Sequence, residues 1–144
     1  MSEASTRDRG ARTSALAGFW LLAIALPLGL TLEALHALKV PVYFGSALRR
    51  ELWTLAHAHG NLLGILCLCY SALAEKWIQD TGRRLRAARL LVAGSILMPV
   101  GFFAGGVLNF EGDPSLGIVI VPFGALMLFL ALVTTALGVP RTTP

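Results

Sequence analysis

Imidazole and carboxylate are the side chains here whose chemistry goes beyond packing. His57 and His59 fall in the stretch Thr54-Leu55-Ala56-His57-Ala58-His59-Gly60-Asn61-Leu62-Leu63-Gly64, at the start of an apolar run long enough to cross a bilayer. The third histidine, His36, follows Glu33 by three residues near the end of the preceding apolar run. Residues three apart share a helix face. Neutral imidazole binds zinc, copper and iron, and a carboxylate ligates the ion or orients another ligand. Ionisable groups at membrane depth are costly, so they need a partner or a purpose.

Three kinds of chemistry compete for this Glu/His cluster. The first is a transition-metal or haem site, with Glu33, His36 and His57 as metal ligands and His59 and Asn61 in support. Glu-x-x-His on one helix with a histidine from a neighbour occurs in bundle metal sites. Two histidines from facing helices, drawn from His36, His57 and His59, are a haem ligand pair. The second is a proton or solute pathway. Below Asn61, however, only Ser71, Ser95, Thr134 and Thr135 are polar, too few for a continuous route. The third is structural: a buried hydrogen-bonded Glu/His pair that sets the registry of two helices.

The elements that position these residues follow from hydropathy. The 144 residues are 56% hydrophobic and 14% charged, with mean hydropathy +0.71. A soluble domain carries about 25% charged residues, so lipid is the solvent this composition implies. Residues 1–14 read as a disordered polar tail, with Ser14 as the first helix cap. Four spans follow over 15–139, at about 15–38, 47–78, 85–108 and 114–138, then a short tail over 140–144. The run from Ala15 to Leu38 is too long for a signal-peptide core and no small-x-small site follows it, so it is expected to be retained. Pro27, Pro99 and Pro122 fall inside spans, where membrane helices tolerate them. Ala56, Ala58, Gly60 and Gly64 in the second span, and Ser95, Gly101, Gly105 and Gly106 in the third, mark close helix contacts. Ser46 is placed to cap the second span. Asp113 followed by Pro114 has the form of a cap for the fourth.

Short connections make the first two spans antiparallel neighbours. Counting outward from their connection pairs His36 with His57, and Glu33 with His59 or Asn61. His57 and His59 are about 200° apart around a helix and cannot serve one ion on regular geometry. The His57 face continues through Arg50, Thr54 and Asn61, so His57 is expected to face Glu33 and His36. His59 is expected to meet a loop, the third or fourth span, or a second site.

Charge orients the chain. Of ten arginines and two lysines, only Lys39, Arg49 and Arg50 fall on the side of the first connection. Arg7, Arg9, Arg12, Lys76, Arg83, Arg84, Arg86, Arg89 and Arg141 fall on the other. The positive-inside rule then places both termini in the cytoplasm and gathers Glu33, His36, His57, His59, Glu111 and Asp113 toward the outer face. No aromatic residues interleave with the basic runs, which argues against nucleic acid as a partner. Cys67 and Cys69 are two apart on one helix, point to different faces and read as packing residues. No nucleophile–base pair or phosphate-binding loop is visible, which points away from an enzyme.

The run His57-Ala58-His59-Gly60-Asn61-Leu62-Leu63-Gly64 resembles the His-x-His-x-Asn-Leu-Leu-Gly segment of small membrane proteins related to haem-copper oxidase subunit I. That resemblance implies a haem or copper role for His57 or His59. With three histidines in the chain, it does not imply oxygen reduction. More broadly, Leu32-Glu33-Ala34-Leu35-His36, Trp53-Thr54-Leu55-Ala56-His57-Ala58-His59-Gly60 and Gly112-Asp113-Pro114 together resemble uncharacterised four-span bacterial membrane proteins. This second resemblance implies the architecture and a bacterial inner-membrane location, and no activity. The expected fold is therefore an all-α four-helix transmembrane bundle with both termini cytoplasmic. The expected function is binding of a transition metal or haem near the outer face. The alternative is a non-catalytic structural or accessory protein held by the same cluster. The partner is the lipid bilayer, with a homo-oligomer or a larger membrane complex left open.

Overall fold

The computed structural model describes residues 3–107, 109–110 and 112–140, with side chains from Arg9 onward. Helix α1 spans Glu3–Ala37 and the short α2 Pro41–Phe44. Helix α3 spans Ala47–Trp77 and α4 Thr81–Val107. A 3-10 turn, Leu116–Val119, leads into α5, Ile120–Ala136. Four of these helical segments are long and apolar enough to cross a membrane. The chain is thus an all-α bundle with the composition of a polytopic membrane protein.

The helix ends show where local chemistry stops each element. Helix α1 closes with Lys39 N–H bonding the His36 carbonyl and Val40 N–H bonding the Leu35 carbonyl, each at 3.1 Å. Lys39 holds the left-handed position of this motif at φ 49°, a place that favours glycine. Ser46 caps α3 as its residue type predicts, its Oγ accepting from Arg49 N at 3.2 Å. Asp80 accepts from Arg83 N–H at 2.5 Å, so α4 begins at Thr81 rather than near Leu85.

Two further expected ends are corrected. Helix α1 starts at Glu3, so Ser14 is no cap; it lies within the helix, fully buried. The early start has a packing reason: a Cβ at Gly10 would touch Ala88 and Leu85 at 3.7 Å, so this part of α1 lies against the start of α4. Ser115, not Asp113, opens the last span. Its hydroxyl donates to the Ala104 carbonyl at 2.7 Å and its N–H to the Gly105 carbonyl at 2.9 Å, while Asp113 pairs with Phe110. Pro122 lies inside the last span, Leu116–Ala136, as expected, in the first turn of α5. Glu111 and Arg141 lie outside the described residues.

Helices α1, α3 and α4 pack mutually, and α5 rests chiefly on α4. Contacts run through small residues. A Cβ at Gly18 would come within 2.8 Å of the Gly64 carbonyl, and one at Gly94 within 2.7 Å of the Gly124 carbonyl. Gly101 likewise abuts Val121. Dispersion between closely approaching backbones holds helices together in lipid, where burial of apolar surface supplies no drive. Ala56, Gly60 and Gly64 are buried as expected, whereas Ala58 is exposed. The densest core joins Cys67, Tyr70, Ala74 and Ile78 of the α3 end to Ala87, Ala88, Leu91 and Ala131.

Lys39→Gly should raise stability by roughly 1 kcal/mol, because glycine carries no penalty at that left-handed backbone position. Thermal unfolding in detergent checks it. An unchanged or lower midpoint would show that the Lys39 side chain contributes more than its backbone strain costs.

Candidate functional site

His57 is the best-anchored of the expected site residues. Its Nδ1 lies 2.8 Å from the Ala25 carbonyl of α1. A carbonyl only accepts, so Nδ1 carries the proton and donates. The ring lies against Gly29: a Cβ there would fall 2.7 Å from Nδ1 and 2.8 Å from Nε2. Asn61 Nδ2 donates to the His57 carbonyl one turn back at 3.0 Å and flanks the same ring. Pro27, which interrupts the backbone ladder of α1, sits between the two residues on which the imidazole rests.

The other two histidines lie elsewhere. His59 donates from Nδ1 to the Leu55 carbonyl at 2.8 Å and packs on Phe102 of α4, ring centroids 4.9 Å apart. It therefore meets the third span, one of the partners its helix face allows. His36 is exposed, its ring edge-on to Phe44 at 5.7 Å. Glu33 and His36 do share a cleft of about 410 Å³, lined also by Leu32, Tyr43, Arg50, Glu51, Thr54 and Leu55. His57 does not line it. Among the described residues, no group of three or more His, Cys, Asp or Glu side chains is placed to hold a metal ion. The expected convergence of Glu33, His36 and His57 is thus not what the helices deliver.

The register explains the difference. Pairing His36 with His57 leaves the first turns of the second span out of the antiparallel count. Helix α3 instead runs unbroken from Ala47. Gly60 therefore meets Ala25, and Gly64 meets Gly18, Leu21 and Leu22. His57 lands beside Ala25 and Gly29, about two turns deeper than His36. Arg50 and Glu51 take the level expected for His57.

Several residues now matter that their types alone did not single out. Gly29 admits the His57 ring. Arg49 joins three elements. Its Nε donates to Gly106 O at 2.8 Å and its Nη2 to Val107 O at 3.3 Å, closing the last turn of α4, while Nη1 bonds the Val42 carbonyl of α2. Its guanidinium also lies 5.8 Å from the Trp53 ring centre, in a Tyr43–Trp53–Phe103 stack. The available signal was an arginine pair on the side of the chain that is otherwise nearly free of basic residues. A cavity of about 590 Å³ between α1, α3 and α4 is lined by apolar residues such as Trp20, Ile24, Ala56 and Phe103, with no titratable side chain in its lining.

No protein-family model, curated protein or solved structure matches the chain. The two resemblances read from short motifs therefore identify no family. What stands is the architecture: four apolar helices in a bundle.

Gly29→Ala should destabilise the protein by roughly 1–3 kcal/mol, because the new methyl occupies the space of the imidazole. In a His57→Ala background the same substitution should cost far less, since the ring is gone. Equal costs in both backgrounds, by thermal or denaturant unfolding in detergent, would show that the ring and Gly29 are not in contact.

Proposed function

We propose that this chain is a non-catalytic structural or accessory membrane protein, whose histidines at membrane depth serve helix packing. The observation that carries this reading is the commitment of His57. Its Nδ1 proton is spent on a carbonyl of the neighbouring helix, and its ring fills a notch at Gly29. Such a bond fixes the registry of α1 and α3, the best-attested use of a buried polar group between helices. A metal or haem centre built on Glu33, His36 and His57 would require α1 and α3 to slide past each other by about two turns, against the glycine contacts that seat them.

The proposed setting is a bacterial inner membrane with both termini in the cytoplasm. Supporting this, the start of α1, the end of α3, the start of α4 and the end of α5 lie at one end of the bundle. Gly10 packs beside Ala88 there, and the Arg83 guanidinium donates to the Leu137 carbonyl at 2.6 Å. That end carries Arg9, Arg12, Lys76, Arg83, Arg84, Arg86 and Arg89, and the positive-inside rule keeps it cytoplasmic.

Two measurements test the reading. Protein purified in mild detergent from metal-replete cells should show no Soret band and no stoichiometric metal by mass spectrometry; either signal overturns it. In a Cys67→Ser, Cys69→Ser background, an impermeant maleimide applied to spheroplasts should label Gly112→Cys and leave Gln79→Cys unlabelled. The opposite pattern would reverse the proposed orientation.

A further inference from the structure

Helix packing accounts for His57 but leaves the outer cleft unexplained. Glu33 on α1 and Glu51 on α3 line it from two walls. Among the described residues neither carboxylate has a hydrogen bond or an ion pair. Arg50 lines the same cleft, yet it does not neutralise them. Its Nη1 donates to the Phe44 carbonyl, and its Cζ lies 5.5 Å from the centre of the Phe44 ring. The guanidinium is thus held toward Phe44, and among the described residues neither carboxylate is ion-paired with it. With His36 neutral, the lining carries a net formal charge of −1.

The depth of the cleft narrows what it takes. Glu33 lies one turn before the end of α1, and Glu51 one turn after the start of α3. Around this level Leu38, Val42 and Phe44 are exposed, as suits the boundary between headgroups and acyl chains. Carboxylates at that level gain from a donor that brings a positive charge, and a primary ammonium offers three N–H groups. The fixed guanidinium beside them suits an anion, which guanidinium groups bind well.

The geometry points to a binding site for the headgroup of a zwitterionic aminophospholipid. The primary ammonium sits between Glu33 and Glu51, and the phosphate lies toward Arg50, with His36 at the rim. A choline headgroup has no N–H to give the carboxylates. An anionic headgroup without an ammonium meets two like charges. The lipid is favoured over a free zwitterion because Leu38, Val42 and Phe44, exposed at this level, offer apolar surface to an acyl chain.

Native mass spectrometry of the detergent-solubilised protein, titrated with phosphatidylethanolamine, phosphatidylcholine and phosphatidylglycerol of one acyl composition, tests this directly. Phosphatidylethanolamine should bind about tenfold or more tighter than the other two, the scale of one charge-assisted hydrogen bond. Glu33→Gln and Glu51→Gln should each remove most of that preference while leaving helical circular dichroism unchanged, since both side chains are exposed. Equal binding of the three lipids by the unaltered protein overturns the proposal without recourse to any variant. So does a preference that survives both substitutions. Displacement of the lipid by soluble phosphoethanolamine at comparable concentration overturns the lipid assignment. Each of these outcomes leaves the reading of His57 as a packing residue standing, because His57 does not line the cleft.

Discussion

Hydrocarbon gives a carbonyl nothing to bond to. Side chains in this bundle supply donors to backbone carbonyls at helix ends, beside Pro27 and across helix contacts. Thr31 Oγ1 donates to the Pro27 carbonyl at 2.8 Å beside the proline of α1, and His57 donates to Ala25 two residues away. Arg49 closes α4, and Ser115 reaches the Ala104 carbonyl near the same end. At the opposite end Arg83 bonds the Leu137 carbonyl just beyond α5, and Tyr70 donates to the Arg84 carbonyl at 2.8 Å. Several of the sparse polar residues thus bond backbone carbonyls, at helix ends or between helices. This accounts for their positions without invoking catalysis.

The second constraint is how closely backbones approach. Helices in lipid hold together by contact, and contact at the required distance excludes side chains at Gly18, Gly64, Gly94 and Gly124. Gly29 belongs to the same set, but what fills its vacant side is an imidazole rather than a neighbouring backbone. Packing and hydrogen bonding coincide here, as they do where the Trp53 ring lies against Gly106 and donates to the Phe103 carbonyl at 3.1 Å. A donor from α3 reaches a carbonyl on α1 only because the residue one turn later on α1 has no Cβ.

Hydropathy located all four spans, because long apolar runs bounded by arginines and prolines have few other physical solutions. Ser46 was legible as a cap, since serine before a helix has a specific bond to make. The start of α1 was not legible. Its polar residues carry no apolar periodicity, and they are helical where Gly10 meets Ala88, a contact 78 positions away along the chain. The candidate site was legible in its residue types but not in its assembly. Glu33, His36, Arg50 and Thr54 do come together, as one polar face suggested. His57 leaves that group because its depth depends on how much of α3 runs level with α1, which the glycine contacts set and a residue count from the connection does not. Gly29 and the Ala25 carbonyl were beyond reach, because a glycine and a backbone oxygen have no chemistry that a sequence displays.

The Arg49 contacts also impose an order on assembly. The guanidinium lies at the first turn of α3, and its acceptors Gly106 and Val107 stand 57 and 58 residues further on. During synthesis α1 and α3 can seat their glycines and the His57 bond as a hairpin. The arginine then waits, charged and hydrated at the surface, until the whole of α4 has crossed. Its closure requires the end of α4 to be in place, as does the seating of α5, which rests chiefly on α4.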